Sequence, residues 1–162
     1  MESTRPEATP DDRAAYVRPH ILIVSDDPDL SGFLSEGLTL GGFWTSVIAS
    51  GLQVLDVFRL RTFDLAILDA ALKGMSTIEV VRRLRSREAA AGGHFVDIPL
   101  LLVAGDLDEI DPEEVVDAGA DGLLLPPLEL EELVPAIFRI VNSWRGKHPD
   151  RPWADQAAQR RD

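Results

Sequence analysis

The fold of this chain is easiest to recognise in residues 63–77, which read FDLAILDAALKGMST. Residues 65–68 form an apolar run that is too short for a buried helix but long enough for a strand covered on both faces. The run ends at a carboxylate, Asp69, where the predicted strand leaves the core. Because ligands of an open parallel sheet bind beyond the carboxyl ends of its strands, Asp69 is positioned for chemistry rather than for packing.

A second acidic stretch follows a similar apolar run nearer the start of the chain. Residues 21–24 are Ile, Leu, Ile and Val, and Ser25, Asp26 and Asp27 come directly after them. Pro28 suits the first turn of a helix, and either aspartate could cap that helix. Two predicted strands therefore end in acidic residues, and these two clusters are the main functional signal in the sequence.

Apolar runs and amphipathic segments alternate along the rest of the chain. The predicted strands are residues 21–24, 43–49, 65–68, 100–103 and 122–125. An amphipathic helix is predicted after each strand, and Asp111 followed by Pro112 marks the start of the fourth. In the last helix, residues 130–144, Pro135 is expected to bend or delay the first turns. The third helix carries an arginine cluster, which we interpret as a solvated face: Arg82, Arg83, Arg85 and Arg87.

Five alternating strands and helices with short connections predict an α/β fold. Such a pattern gives a parallel sheet with right-handed crossovers and helices on both faces. For five strands the common arrangement is the flavodoxin-like, doubly wound sheet with strand order 2-1-3-4-5. Strands one and three are then neighbours, so Asp26 and Asp27 are expected to face Asp69.

The length of the chain, 162 residues, is enough for one domain with a real core but not for two ordinary domains. We expect this domain to span residues 19–144. Residues 1–18 and 145–162 are rich in charge and proline without periodicity, so we expect both to be disordered tails. The second tail is too short and too polar to fold as an effector domain. Trp153 in that tail could dock on the domain or on a partner.

Composition excludes several classes of protein. The net charge is −12, and a surface this acidic repels phosphate backbones and anionic lipid, which argues against nucleic-acid and membrane binding. No run approaches the ~18 apolar residues of a membrane span, and the start of the chain carries no apolar signal segment. The chain has no cysteine, so it has no disulfide framework. We expect a cytoplasmic location.

Carboxylates gathered at strand ends suggest two kinds of chemistry. They repel one another unless a cation joins them, and oxygen ligands with room for water suit Mg²⁺. A carboxylate in such a pocket can also attack phosphorus and form an aspartyl phosphate.

The ordered set of motifs resembles the receiver domain of two-component response regulators over roughly residues 20–144. Four stretches carry the resemblance: residues 21–28, residues 65–75, residues 97–100, and residues 119–122 together with Pro127. The resemblance implies that Asp69 is the phosphoacceptor and Asp26 a direct metal ligand. It also implies that the backbone carbonyl of Ala71 is a further metal ligand.

Several positions depart from the family pattern. Ser25 replaces the first acid of the pair, which normally holds metal-bound water, so Mg²⁺ binding is expected to be weak. Ala104 replaces the hydroxyl residue at the end of strand four, and Pro126 replaces the lysine before Pro127; in the family both of those groups contact the phosphoryl group. Three further differences lie nearby: Leu123 at the switching aromatic, and Lys73 and Thr77 at a loop proline and glycine.

The resemblance implies a signalling module and not an enzyme. A stand-alone receiver would accept a phosphoryl group on Asp69 from a histidine kinase or phosphotransfer protein. It would then signal through a downstream protein partner or as a homodimer. The alternative is a pseudo-receiver that binds partners without phosphorylation. A more remote alternative is an aspartate-nucleophile phosphatase, but Ala71 occupies the place of the second acid that such enzymes usually need. The sequence leaves open whether Lys73 replaces the missing lysine.

Overall fold

A computed structural model describes residues 17–87, 95–105 and 110–155. The strands are β1 (His20–Val24), β2 (Trp44–Ile48), β3 (Leu65–Asp69), β4 (Leu100–Val103) and β5 (Gly122–Leu124). The helices are α1 (Pro28–Leu40), α2 (Gly51–Leu60), α3 (Thr77–Arg85), α4 (Pro112–Ala118) and α5 (Leu130–Lys147). All strand pairs are parallel, and their order is β2-β1-β3-β4-β5. The predicted fold class and strand order are confirmed.

The register of the sheet brings the ends of β1 and β3 together. Val24, the last residue of β1, lies opposite Ile48 on one side and Leu68 on the other. Ser25 and Asp69 directly follow these paired positions, and their side chains are in hydrogen-bond contact. The prediction that strands one and three are neighbours is therefore confirmed, and the residue after β1 that contacts the Asp69 side chain is Ser25.

Alternating residues along the strands supply two separate cores. Successive strand side chains point to opposite faces of a sheet, so each buried strand needs a covering layer on both sides. On one side α1 and α5 pack on a cluster that includes Ile21, Ile23, Leu65, Ile67, Leu101 and Val103. On the other side α2, α3 and α4 pack on Leu22, Val24, Ala66, Leu68, Leu100 and Leu102.

The two aspartate–proline pairs start helices as predicted. Asp27 caps α1 by accepting a hydrogen bond from the Asp29 backbone N–H at 3.0 Å, with Pro28 in the first turn. Asp111 caps α4 in the same way. Of the two candidates for the first cap, the structure therefore assigns Asp27, which leaves the Asp26 carboxylate available elsewhere.

Helix α5 differs from its prediction at both ends. It begins at Leu130 and continues through the exposed Pro135, so the expected delay of the first turns is wrong. Burial of apolar side chains along α5 outweighs the one backbone hydrogen bond that proline removes. The helix also runs three residues beyond Trp144, to Lys147. The predicted domain boundary at residue 144 is therefore wrong.

Residues 148–155, called the C-terminal strap below, are packed against the domain instead of forming a disordered tail. The two guanidinium Nη atoms of Arg151 donate to both carboxylate oxygens of Asp97, at 2.9 and 2.6 Å. The guanidinium of Arg145 lies 3.7 Å from the ring centroid of Trp153, a cation–π contact. Trp153 packs against the α1/α5 core. The expectation of disorder from residue 145 is therefore wrong for residues 145–155.

The strap meets the sheet at its amino end, where the parallel strands begin. Asp64, just before β3, is 5% exposed. Its two oxygens accept the backbone N–H groups of His20, at 2.7 Å, and of Ala154 in the strap, at 3.1 Å. Nη1 of Arg145 lies 3.9 Å from Oδ1 of Asp64. Burial raises the pKa of Asp64 above its usual value, and the two N–H donors and Arg145 oppose that rise.

One arginine of α3 has a structural role that its sequence pattern did not reveal. Arg85 is half-buried, and its guanidinium donates to the carbonyls of Val96, Ile98 and Gly119 and to the carboxylate of Asp121. The interpretation of the arginine cluster as a solvated face is therefore wrong for Arg85. It instead ties α3 to the segment entering β4 and to the end of α4.

Some predictions fall on segments that the structure does not cover. The predicted disorder of residues 1–16 and 156–162 lies outside the described residues. Residues 17 and 18 are described, and the Arg18 guanidinium lies 4.7 Å from the ring centroid of Trp44. Within the described ranges, no helix combines the length and apolar character that a bilayer crossing requires.

Candidate functional site

Asp69 is buried at the carboxyl end of β3, with 7% of its surface exposed. The Ser25 hydroxyl donates to Asp69 Oδ2 at 2.8 Å, and the Ala71 backbone N–H donates to Asp69 Oδ1 at 2.9 Å. Both donors are neutral groups. These two hydrogen bonds therefore hold the carboxylate in one orientation, and neither of them is an ion pair.

The backbone of Asp69 is fixed by a residue on the following helix. Thr77, the first residue of α3, is 2% exposed, and its hydroxyl donates to the Asp69 carbonyl at 2.6 Å. Ser76 caps the same helix by accepting the Glu79 N–H. Thr77, which departs from the family pattern, thus anchors the end of β3 to the start of α3.

The acidic pair after β1 divides into two roles. Asp27 is exposed and caps α1. Asp26 is partly buried, and its Oδ2 accepts the backbone N–H of Lys73 at 3.0 Å. This bond ties the loop after β3 to the end of β1. The Lys73 residue itself is exposed.

An open cavity of about 300 Å³ lies above the strand ends. Its walls combine the predicted site residues with two of the positions that depart from the family pattern. The lining residues are Asp26, Asp27, Leu30, Asp69, Ala71, Val103, Ala104, Gly105, Pro126 and Leu128. Ala104 and Pro126 stand where the family pattern has a hydroxyl and an ammonium group, and their side chains offer neither. Lys73 is not among these lining residues.

The charge at this site is acidic and unpaired within the described part of the chain. None of the ion pairs between described residues includes Asp26 or Asp69. Carboxylate and carbonyl oxygens are the ligands that Mg²⁺ prefers, so Asp26, Asp69 and the Ala71 carbonyl have suitable chemistry. Among the described residues, however, no three His, Cys, Asp or Glu side chains are grouped to hold a metal ion. The donor set fits Mg²⁺ in kind, with one carboxylate fewer than the family pattern.

Sequence reasoning brought Asp26, Asp69 and Ala71 to one site, but it missed two hydroxyl groups. In the sequence pattern Ser25 is only a lost acid, and Thr77 is only a replaced glycine. The structure gives each of them a hydrogen bond to Asp69, over separations of 44 and 8 residues. A buried hydroxyl next to a strand-end carboxylate was the available signal, since such a hydroxyl needs a partner.

The chain is similar to known proteins over most of its length. A family model for the response regulator receiver domain matches residues 21–138. The DNA-binding response regulator MtrA of Mycolicibacterium smegmatis is 34% identical over 121 residues, which cover 75% of this chain and 50% of MtrA. The TorCAD operon transcriptional regulatory protein TorR of Escherichia coli K12 is 32% identical over 126 residues, covering 78% of this chain and 50% of TorR. The chain thus spans about half the length of these curated relatives.

Solved structures agree with the sequence matches. The receiver domain of TorR superposes with a TM-score of 0.65 at 32% identity, covering 78% of this chain and 98% of that one. The receiver domain of the sensor histidine kinase PA1611 of Pseudomonas aeruginosa PAO1 has a TM-score of 0.67 at 21% identity, covering 78% of this chain and 99% of that one. That structure has a magnesium ion coordinated in its active-site cleft. By its fold and its family match, this chain belongs to the response regulator receiver domain family of two-component signalling.

Proposed function

We propose that Asp69 accepts a phosphoryl group and that the domain passes this signal to a partner protein. One observation carries the proposal. Asp69 is buried at a strand end, yet it lines an open cavity of about 300 Å³ and has no ion-pair partner among the described residues. A carboxylate used only for packing would be expected to have its charge compensated or covered.

The proposed step is a transfer from a phosphohistidine on a histidine kinase or phosphotransfer protein. A carboxylate oxygen of Asp69 attacks the phosphorus, so that a P–O bond forms and the P–N bond to the imidazole breaks. The imidazole leaves with the bonding electron pair and takes a proton from solvent. The product is an acyl phosphate on Asp69, which adds roughly −1.5 to −2 charge to an already acidic site.

Asp26, Asp69 and the carbonyl of Ala71 are the residues that would hold Mg²⁺. When bound, the cation supplies neutralisation of charge on the phosphoryl oxygens. Because Ser25 stands where the family has a further carboxylate, we expect this site to be weak. The site would be saturated only at millimolar Mg²⁺, as expected for a site with few charged ligands.

Output is proposed to pass through a protein partner or a second copy of the domain. The DNA-binding activity named for MtrA belongs to that protein. The net charge of −12 disfavours contact of this chain with a phosphate backbone. A partner protein whose binding depends on the charge of the cavity fits this acidic chain better than DNA does.

A pseudo-receiver is the second candidate, and the cavity wall supports it. A ligand shifts a two-state equilibrium only by its differential interaction with the two states. Ala104 and Pro126 offer the phosphoryl group no hydroxyl or ammonium donor. Lys73 is exposed and is not a lining residue, so its side chain would have to reorient to replace the missing lysine. Phosphorylation would then change the charge of the site with little change in shape.

Intact-mass measurement after treatment with a small phosphodonor and Mg²⁺ tests the proposal. We expect the parent chain to gain the mass of one phosphoryl group and the Asp69→Asn variant to gain none. Asp64→Asn is the matched control, since it changes the buried aspartate at the other end of β3, and it should still be modified. Asp26→Asn should reduce the yield at millimolar Mg²⁺. An unmodified parent, or a modified Asp69→Asn variant, would reject Asp69 as the acceptor and favour the pseudo-receiver.

A further inference from the structure

Ser25 is a buried hydroxyl residue between the two acidic strand ends. It is 3% exposed, and its backbone N–H donates to the carbonyl of Ile48 in β2 at 3.0 Å. Its position is therefore set by the sheet. The side chain of a residue held this way has little freedom to move away from Asp69.

The hydroxyl is oriented by a second hydrogen bond. The backbone N–H of Asp27 donates to Ser25 Oγ at 3.1 Å. That N–H occupies one lone pair of Oγ. The single hydroxyl proton has two acceptors within reach, Asp69 Oδ2 at 2.8 Å and the Asp27 carbonyl at 3.5 Å, and the much shorter contact assigns it to Asp69. An ionised carboxylate can only accept, so the direction of the bond from Ser25 to Asp69 follows.

A carboxylate at this position would act in the opposite sense. Two carboxylates in contact repel each other, and a cation is needed to bring both into a defined geometry. Ser25 removes that repulsion and adds a donor. Together with the Ala71 N–H on Oδ1, it satisfies both oxygens of Asp69.

We propose that Ser25 is a positioning residue, whose hydroxyl holds the Asp69 carboxylate in one orientation without a bound cation. It follows that phosphorylation of Asp69 depends less on Mg²⁺ than it would with an acid at residue 25. This second statement rests on the proposed function, whereas the first does not.

The positioning role is tested in metal-free protein. Three-bond couplings across the Cα–Cβ bond of Asp69, measured by NMR, report whether one side-chain rotamer is occupied. We expect a single rotamer in the parent and rotamer averaging in Ser25→Ala. Ser31→Ala is the matched control, since its hydroxyl lies on α1 and donates to the Pro28 carbonyl, and it should match the parent. An unchanged single rotamer in Ser25→Ala would overturn the positioning role.

The effect of residue 25 on metal binding is tested with Ser25→Asp. Amide chemical shifts and the rise in Tm measure how tightly Mg²⁺ binds. A further charge close to the ion should tighten Mg²⁺ binding by roughly tenfold. It should also make the Tm more dependent on Mg²⁺ than in the parent. Binding no tighter than in the parent would show that residue 25 does not control metal dependence. If Ser25→Asp folds only with Mg²⁺ present, that result supports the proposal directly.

Phosphodonor labelling with and without Mg²⁺ separates the two proposals. In the parent, the ratio of labelling rates with and without Mg²⁺ should be smaller than in Ser25→Asp. If the parent is not labelled under either condition, the proposed function fails, and the rotamer measurement still decides the role of Ser25. If labelling depends equally on Mg²⁺ in both chains, the proposed function stands and the reduced metal dependence is rejected.

Discussion

Strand β3 has a buried aspartate at each end: Asp64 just before it and Asp69 as its last residue. The two are almost equally buried, at 5% and 7% exposure. At the amino end of the sheet, the C-terminal strap supplies one of the two backbone N–H donors of Asp64. At the carboxyl end, Asp69 lines an open cavity of about 300 Å³. Burial alone therefore does not distinguish a structural carboxylate from a candidate reactive one.

The pairing of charges distinguishes the two ends. At the amino end Asp97 forms a bidentate pair with Arg151, and Arg145 lies 3.9 Å from Asp64. A cavity of about 170 Å³ lies at the amino end, and its lining includes both Asp97 and Arg151. At the carboxyl end the described residues provide no such partner for Asp69. The difference indicates that the contacts at the amino end contribute to stability, and under the proposed function the unpaired Asp69 at the carboxyl end is the reacting group.

Removing the strap should have the largest effect, since it opens the amino end to water. A chain ending at Lys147 loses the Arg151 pair with Asp97, the packing of Trp153, and one donor to Asp64. We expect a loss of about 3 kcal/mol of unfolding free energy, or roughly 6–12 °C in Tm by thermal denaturation.

A chain ending at Asp155 is the control for that deletion, since it keeps the strap and should melt close to the full chain. If the chain ending at Lys147 melts within about 2 °C of the full chain, the strap does not stabilise the domain, and the comparison between the two ends loses its basis.

Replacing Asp97 by Asn should lower the free energy of unfolding by less than the deletion does, and this difference should disappear at acid pH. The hydrogen bonds from Arg151 hold the pKa of Asp97 below its ordinary value of 3.8. Asp97 therefore contributes stability that is present above pH 3.8 and is lost as the pH falls through its folded-state pKa. We expect Asp97→Asn to be less stable than the parent by about 1 kcal/mol at pH 7, after allowance for solvent screening.

Urea denaturation of both chains at neutral and acid pH measures this difference. The gap should close below the folded-state pKa of Asp97, because the parent carboxyl is then protonated as well. A gap of constant size across the acid range would show that it does not come from the charge on Asp97.

Asp64→Asn should have the smallest effect, and its pH dependence should have the opposite sign. Burial raises the pKa of Asp64, so its contribution is fully present below pH 3.8 and is lost as the pH rises through the folded-state pKa. The variant lacks this loss, so its stability relative to the parent should improve as the pH rises from 4 to 7. Asn offers one acceptor oxygen for the two N–H groups of His20 and Ala154, and this loss opposes the gain from removing a buried charge. At pH 7 we therefore expect the two chains to agree within about 1 kcal/mol.

The same urea series, extended to Asp64→Asn, gives the measurement. A variant that loses stability relative to the parent as the pH rises would contradict the assignment of burial as the dominant influence on Asp64. It would also show that neighbouring groups stabilise the charged form of Asp64, as they do for Asp97.

The sequence carried enough information to predict the architecture. Short apolar runs, such as residues 65–68 and 100–103, can be buried on both faces only as central strands, so they predicted a parallel sheet. Asp–Pro pairs marked the helix starts because capping depends on residues close in sequence. The resemblance extended this to Asp69, Asp26 and Ala71, and the structure places all three around one cavity.

The amino end could not be predicted in the same way. Residues 148–155 have no periodicity and no apolar run, so their sequence predicts a disordered tail. Its contacts reach across long separations, 54 residues from Arg151 to Asp97 and 90 residues from Ala154 to Asp64. A polar segment of this kind is ordered by its specific partners and not by its own propensity.

Local sequence therefore determined the strands, the two Asp–Pro helix starts and the position of Asp69 at a strand end, because periodicity and capping act over a few residues. The strand order was predicted from the common arrangement of five alternating strands and helices. Only the tertiary structure decided which groups hold each buried carboxylate. It gave Asp69 the hydroxyl of Ser25, and it gave Asp64 the strap. The physical reason is that a buried polar group takes as its partner whichever donor the packed chain brings within about 3 Å, wherever that donor lies in the sequence.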